Sequence, residues 1–308
     1  LEAAGTELTT GQVADMRSAT RGDLAPVFGI DAALQRLEVR DQGLSLAAAR
    51  SAAAQQALAQ VQGAAGDLGL ELGAAVSRGD PVSTSALQAK ASGVLETVVN
   101  TLNNSFGGRS LFAGAAQDGP ALAGTEQIIA EVAILIGGAG DAGTAVAAVE
   151  AWFDTPGGGF ETIAYRGAPT DAAAVEVADD ARLPYLPRAD DAALRDVMKA
   201  LALIAAAPQA ATAEDRDALL ATGANQLSAA EEAVTGLRAR LGSAEERIAQ
   251  AIETTEAESN ALSRSRNDLV GVDQYEAATR FAEVEGQLQS LYTVTARLSG
   301  LSLTNYLR

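Results

Sequence analysis

The sequence contains no cysteine and no histidine. That removes thiol nucleophiles, disulfides, Ser-His-Asp triads and most zinc and haem sites. Aromatic residues are scarce at 4%, although hydrophobic residues make up 48% of the 308. The apolar content is therefore mostly Ala, Leu and Val. That suits closely packed helices, because Ala is the best helix former and lets neighbouring helices approach. Positive charge is short as well: 22 Lys and Arg stand against 40 Asp and Glu, a net charge of −18. A nucleic-acid backbone or an anionic membrane surface calls for a basic footprint, and none is visible. Like charge of this size keeps a free monomer soluble. No run of 18 apolar residues occurs, so no membrane insertion is expected. No secretory signal pattern is present. The sequence begins at Leu1, not Met, and further native residues are expected before it.

What the sequence does contain is helical pattern. Residues 1–29 read as irregular, with Gly5, Gly11, Gly22, Pro26 and Gly29 breaking any long helix. From Ile30 onward, Ile30, Leu37, Leu44, Leu58, Ala65 and Leu72 share one heptad frame interrupted only by Ser51, a coiled-coil-like seam. Gly79 and Pro81 end it. Ser83 is positioned to cap a second helix whose buried stripe is Leu87, Val94, Leu95, Val98, Val99 and Leu102. Arg109–Ala113 reads as a short strand. Between about residues 117 and 189, Gly and Pro are dense. Short helices are predicted at Glu126–Ile136 and Asp141–Phe153, and strands at Phe160–Tyr165 and Ala174–Val177. Helix resumes after Asp190 or Asp191 with Leu194, Val197, Met198, Leu201 and Ile204 on one side, and ends at Pro208. A further helix starts near Thr212 and runs to about Asp268, which at 1.5 Å per residue gives about 80–90 Å. A helix of that length needs a partner helix along it. Leu241, Ile248, Leu262 and Leu269 keep one heptad frame, with Thr255 in the skipped position.

After the break at Gly271-Val272-Asp273, the last helix carries Phe281, Val284, Leu288, Leu291, Leu298 and Leu301 on one face, followed by Tyr306. An apolar, amphipathic C-terminal segment suggests a surface that awaits partners, against the plainer reading of an ordinary core helix. These seven residues are the candidate assembly interface. The fold this predicts is mainly α: an elongated antiparallel helical rod with a small inserted mixed α/β domain. Its expected divisions are residues 1–117, 118–189, 190–273 and 274–308.

Two features offer chemistry and are weighed against plainer readings. Gly138-Ala139-Gly140-Asp141-Ala142-Gly143 matches G-x-G-x-x-G after the apolar run Val132–Ile136, with Glu161 roughly where a ribose-binding acid would stand. No alternating strands and helices follow, and Asp141 is a ready N-cap, so an inter-helix loop is favoured. The pairs Asp179-Asp180 and Asp190-Asp191 lack the alternating oxygen ligands of a calcium loop. Glu245-Glu246 and Glu253/Glu256 read as a solvated helix face. No catalytic, cofactor-binding or metal-binding residue is assigned, and no enzymatic activity is expected.

Gly108-Arg109-Ser110-Leu111-Phe112-Ala113-Gly114 resembles the segment of the flagellin family where the second helix gives way to the first strand. Arg240-Leu241-Gly242-Ser243-Ala244-Glu245-Glu246-Arg247-Ile248 is similar to the start of that family's long C-terminal helix. Asn267–Asp273, followed by Glu276-Ala277, resembles its joint before the terminal helix. The ending Ser299–Leu307, with its Asn305-Tyr306 pair, is similar to the family's junction members rather than its filament members. The resemblance covers about residues 30–117 and 190–308. It implies a structural subunit of the bacterial flagellum that joins hook to filament. The implied partners are a neighbouring hook-associated protein, flagellin, further copies of itself in a ring, and a flagellar export chaperone. It also implies export by the flagellar type III route to the extracellular flagellum, with no cofactor. The family's N-terminal helix is expected before Leu1, its trailing part falling around Glu7–Gly11. A filament flagellin, a nucleotide-dependent enzyme built on the glycine loop, and a secreted coiled-coil adhesin remain as alternatives.

Overall fold

A computed structural model describes residues 2–300. The helices are α1 (Glu2–Thr10), α2 (Met16–Ala19), α3 (Ala25–Arg78), α4 (Pro81–Leu102), α5 (Thr125–Gly137), α6 (Ala142–Asp154), α7 (Ala192–Ala206), α8 (Ala213–Val270) and α9 (Gln274–Gly300). Four short strands accompany them: β1 (Ser105–Phe106), β2 (Arg109–Ser110), β3 (Val175–Ala178) and β4 (Ala181–Leu183). The chain divides into two compact units, one of residues up to Gln42 and from Glu253 onward, the other of Gly43–Ile252.

In the 43–252 unit, α3 and α8 run antiparallel. Small residues set their approach. A Cβ on Gly69 would stand 3.4 Å from Leu227, and one on Gly66 would stand 3.1 Å from the Glu231 carboxyl. Polar side chains zip the rim: Gln62 donates to Thr235 Oγ1 at 2.8 Å, and Arg238 donates to Gln62 Oε1 at 2.6 Å. Of the heptad frame read from the sequence, Leu44, Leu58, Ala65 and Leu72 are buried in this unit; in the other unit Leu37 is buried and Ile30 only partly so. Ser51 in the skipped position is fully buried and donates its hydroxyl to Ala48 O at 3.0 Å, so the interruption leaves no orphaned group. α4 and α7 pack together, and α5 and α6 pack on each other and on α7. Every predicted inward residue of α7 is buried.

Several local expectations are corrected. Residues 2–10 hold a helix, α1, despite Gly5: that glycine faces α9, where a Cβ would meet Phe281 at 3.6 Å. Helix α3 begins at Ala25, with Pro26 in its first turn, where a missing N–H costs nothing. The cap of α4 is Asp80 rather than Ser83. Asp80 accepts from the backbone N–H groups of Val82 and Ser83, and the Ser83 hydroxyl donates to its other oxygen at 2.5 Å. Those hydrogen bonds, led by the Ser83 hydroxyl, hold the Asp80 carboxyl below its ordinary pKa. The predicted strand Arg109–Ala113 is only β2, paired with β1 in a hairpin, and Leu111–Ala113 continue as buried coil. Phe160–Ala164 is a π-helical turn, not a strand; Tyr165 N–H donates to Phe160 O at 2.8 Å. In α8 the buried residue near the C-terminal end is Val270, while Leu269 of the expected frame is exposed.

Two polar anchors organise the region around residues 105–190. The Asn103 amide pairs with the backbone of Leu122, accepting from its N–H at 2.8 Å and donating to its C=O at 3.1 Å. Arg50 is buried and donates to Ser110 O at 3.2 Å and Gln117 Oε1 at 3.4 Å, joining α3 to the hairpin and the turn after it.

Candidate assembly surface

The joint at Val270–Asp273 sets up α9. Asp273 caps the helix, its Oδ1 accepting from Tyr275 N–H at 2.7 Å and Glu276 N–H at 3.3 Å. Beyond the cap, Ala277, Phe281, Val284, Leu288, Leu291 and Leu298 follow one another at three, four and seven residues on one face. Glu283, Ser290 and Arg297 occupy the opposite face and are exposed.

Helix α1 lies antiparallel along the start of that apolar face. Gly11 neighbours Gln274, Glu7 Oε2 lies 3.5 Å from Arg280 Nη1, and Gly5 faces Phe281. The glycine at position 5 permits close approach to the Phe281 ring. With nine residues, α1 spans about 13 Å, against about 40 Å for the 27 residues of α9. Burial changes along α9. Ala277 is 0% exposed; Phe281, Val284 and Leu288 are half-buried; Leu291 and Leu298 are 61% and 63% exposed. Two further apolar side chains join the uncovered part. Tyr292, 69% exposed, stands one turn beyond Leu288, and Val294, 52% exposed, one turn before Leu298. Sequence reading passed over both. The signal was the i, i+4 relation to residues already on the stripe. Of the seven expected interface residues, Leu301 and Tyr306 lie outside the described residues.

The competing sites do not assemble. Val132–Ile136 is part of helix α5, not a strand leading into a phosphate loop. The N-terminus of α6 is occupied by carboxylates: Asp141 accepts from Thr144 N–H at 2.7 Å, and Asp215 Oδ1 accepts from Ala142 N–H at 2.9 Å. The Thr144 bonds hold the Asp141 carboxyl below its ordinary pKa, so it stays charged where a phosphate would have to sit. Glu161 instead accepts from Gly157 N–H at 2.8 Å. Asp190 pairs with Arg188 at 2.7 Å, and Asp191 caps α7 and meets Arg240 at 3.3 Å. Among the described residues, no three acidic groups gather as a metal site.

Residues 225–307 match the family model for the bacterial flagellin C-terminal helical region. That segment holds most of α8 and all of α9, so the surface described above falls inside it. The C-terminal region of the chain is thus flagellin-like. Its fold is similar to those of two solved flagellar proteins. It superposes on the crystal structure of Bacillus cereus FlgL with a TM-score of 0.54 at 15% identity, covering 76% of this chain and 97% of that one. A candidate flagellar hook-associated protein from Vibrio parahaemolyticus gives a TM-score of 0.55 at 10% identity, covering 79% of this chain and 95% of that one. No curated protein sequence matches the chain.

Proposed function

We propose that the protein is a structural subunit of the bacterial flagellum that joins hook to filament, and that it assembles through its terminal helices. The observation that carries this is the match of residues 225–307 to the flagellin C-terminal helical region, within which α9 carries an apolar stripe whose Leu291, Tyr292, Val294 and Leu298 are exposed. In an assembled ring, the α9 faces of neighbouring subunits meet. The interface is Phe281, Val284, Leu288, Leu291 and Leu298, continued by Leu301 and Tyr306. Each large side chain removed from water contributes about 1.5–3 kcal/mol, less the cost of ordering the segment. Four to seven such residues per subunit suffice to hold a stack without any covalent chemistry, in keeping with a role that needs no catalytic group.

On this reading the terminal segment, 274–308, is the assembly element. Residues 1–117 and 190–273 form the helical body of the subunit, and 118–189 is an insertion that assembly does not use. The partners are a hook-associated neighbour, flagellin, further copies of the chain, and an export chaperone that covers the apolar face before assembly. The route is flagellar type III export to the hook–filament junction. Deleting residues 274–308 tests the assignment. The truncated protein is expected to retain the helicity of α3–α8 by circular dichroism and to be absent from hook–filament junctions by electron microscopy. Normal incorporation of the truncated chain overturns it.

A further inference from the structure

Within the unit that holds the terminal helices, the chain enters and leaves the α1–α9 pair through two short linkers, residues 11–15 and 271–273. These linkers are bonded to each other. Gln12 and Gly271 form an antiparallel bridge, with Val13 N–H donating to Val270 O at 2.9 Å and Val272 N–H donating to Gly11 O at 3.0 Å. Side chains close the bridge from both sides. Arg266 of α8, mostly buried, donates to Asp31 of α3 at 2.6 Å and to Gln12 Oε1 at 3.4 Å. Glu7 of α1 accepts from Ala14 N–H at 3.3 Å and meets Arg280 of α9 at 3.5 Å.

The backbone at the bridge tolerates little besides glycine. Gly11 has φ +67°, a left-handed conformation that a side chain disfavours. At Gly271 a Cβ would collide with the carbonyl oxygen of Asn267, which already accepts the Gly271 N–H at 2.7 Å. Val270, on the last turn of α8 beside the bridge, is fully buried.

We infer that the two linkers form a single latch, bridged at Gln12–Gly271 and clamped by Arg266, so that the terminal helix pair is held or released as one body. Two independent linkers would let α1 and α9 loosen separately, and the apolar face that α1 covers would then open without any change at α8. A shared bridge ties the two events: breaking either side frees both. The strongest fixed points are backbone hydrogen bonds and a mostly buried guanidinium, so opening is all-or-none on the scale of one cooperative unit.

Hydrogen exchange on the unassembled full chain tests the latch separately from any role in assembly. In the wild type, the Val13 and Val272 amides are expected to exchange about 100-fold slower than in an open chain. In Gly271→Ala both amides are expected to speed up together, with the amides of α5 to α7 unchanged as the control for folding. Arg266→Gln, which leaves the backbone free to fold, is expected to speed both in the same way and decides the matter if Gly271→Ala does not fold. Coil-like exchange at either amide in the wild type, or release of one while the other stays protected in the variants, overturns the inference.

Discussion

Replacing both Leu291 and Leu298 with Asp is expected to abolish assembly while leaving the folded monomer intact. The two leucines are more than half exposed, so the monomer loses little contact and its helicity and thermal transition should match the wild type. In the assembled state both are buried in the proposed interface. Losing two such side chains removes about 3–6 kcal/mol per subunit contact, equivalent to about 100- to 10,000-fold weaker association. The aspartates add desolvation of two charges and repulsion between neighbours that already carry a net −18 each. Sedimentation of the chain with flagellin reads the loss, and circular dichroism of the unassembled chain reads the fold. Unimpaired co-sedimentation would place the interface elsewhere on the molecule.

The second large effect lies in the core of the 43–252 unit. Phe153 at the end of α6 is fully buried. It stacks on Phe160 at 5.4 Å and meets Trp152 edge-on at 4.8 Å. In a chain with so few aromatics, this cluster supplies packing that Ala and Leu cannot replace. Phe153→Ala is expected to destabilise the unit by about 3–5 kcal/mol and to lower its thermal midpoint by roughly 10 °C. Differential scanning calorimetry measures it. A shift of under a few degrees would mean that Leu and Ala neighbours collapse into the cavity and that the cluster is not a keystone of the region.

The sequence carried the long helices because their buried faces repeat with a helical period and both ends are marked. The frame from Leu37 to Leu72 is apolar at each step except Ser51, and Asp80-Pro81 and Asp273 punctuate the turns that follow. Where the reading failed, a local pattern was overridden by a neighbour far along the chain. Phe160-Glu161-Thr162-Ile163-Ala164-Tyr165 looks like a strand because Phe, Thr, Ile and Tyr, all favoured in strands, crowd into six residues. The structure winds it into a π turn that points Phe160 at Phe153 and brings Tyr165 alongside Leu122. Gly5 reads as a helix breaker in isolation, yet it is the position that Phe281 approaches. Leu269 loses its place in the heptad to Val270, whose carbonyl takes part in the linker bridge.

The candidate surface was legible as a stripe but not as a gradient. Periodicity picks out Phe281 through Leu298 with equal weight. The described contacts with α1 fall at Gln274, Arg280 and Phe281, near Ala277, which is sealed, while Leu291 and Leu298 are exposed. Pairing of α1 with α9 joins segments some 270 residues apart, and no local signal in either states how many turns the pairing will cover. Tyr292 and Val294 were missed for a related reason. They sit at the edges of the stripe, where a side chain is solvated or buried according to what lies across from it.

The central claim is that this chain joins a hook to a filament. Electron microscopy of flagella in cells that lack their own junction protein and express this protein tests it most directly. The account predicts filaments attached to hooks; bare hooks, with the protein exported from the cell, would contradict it.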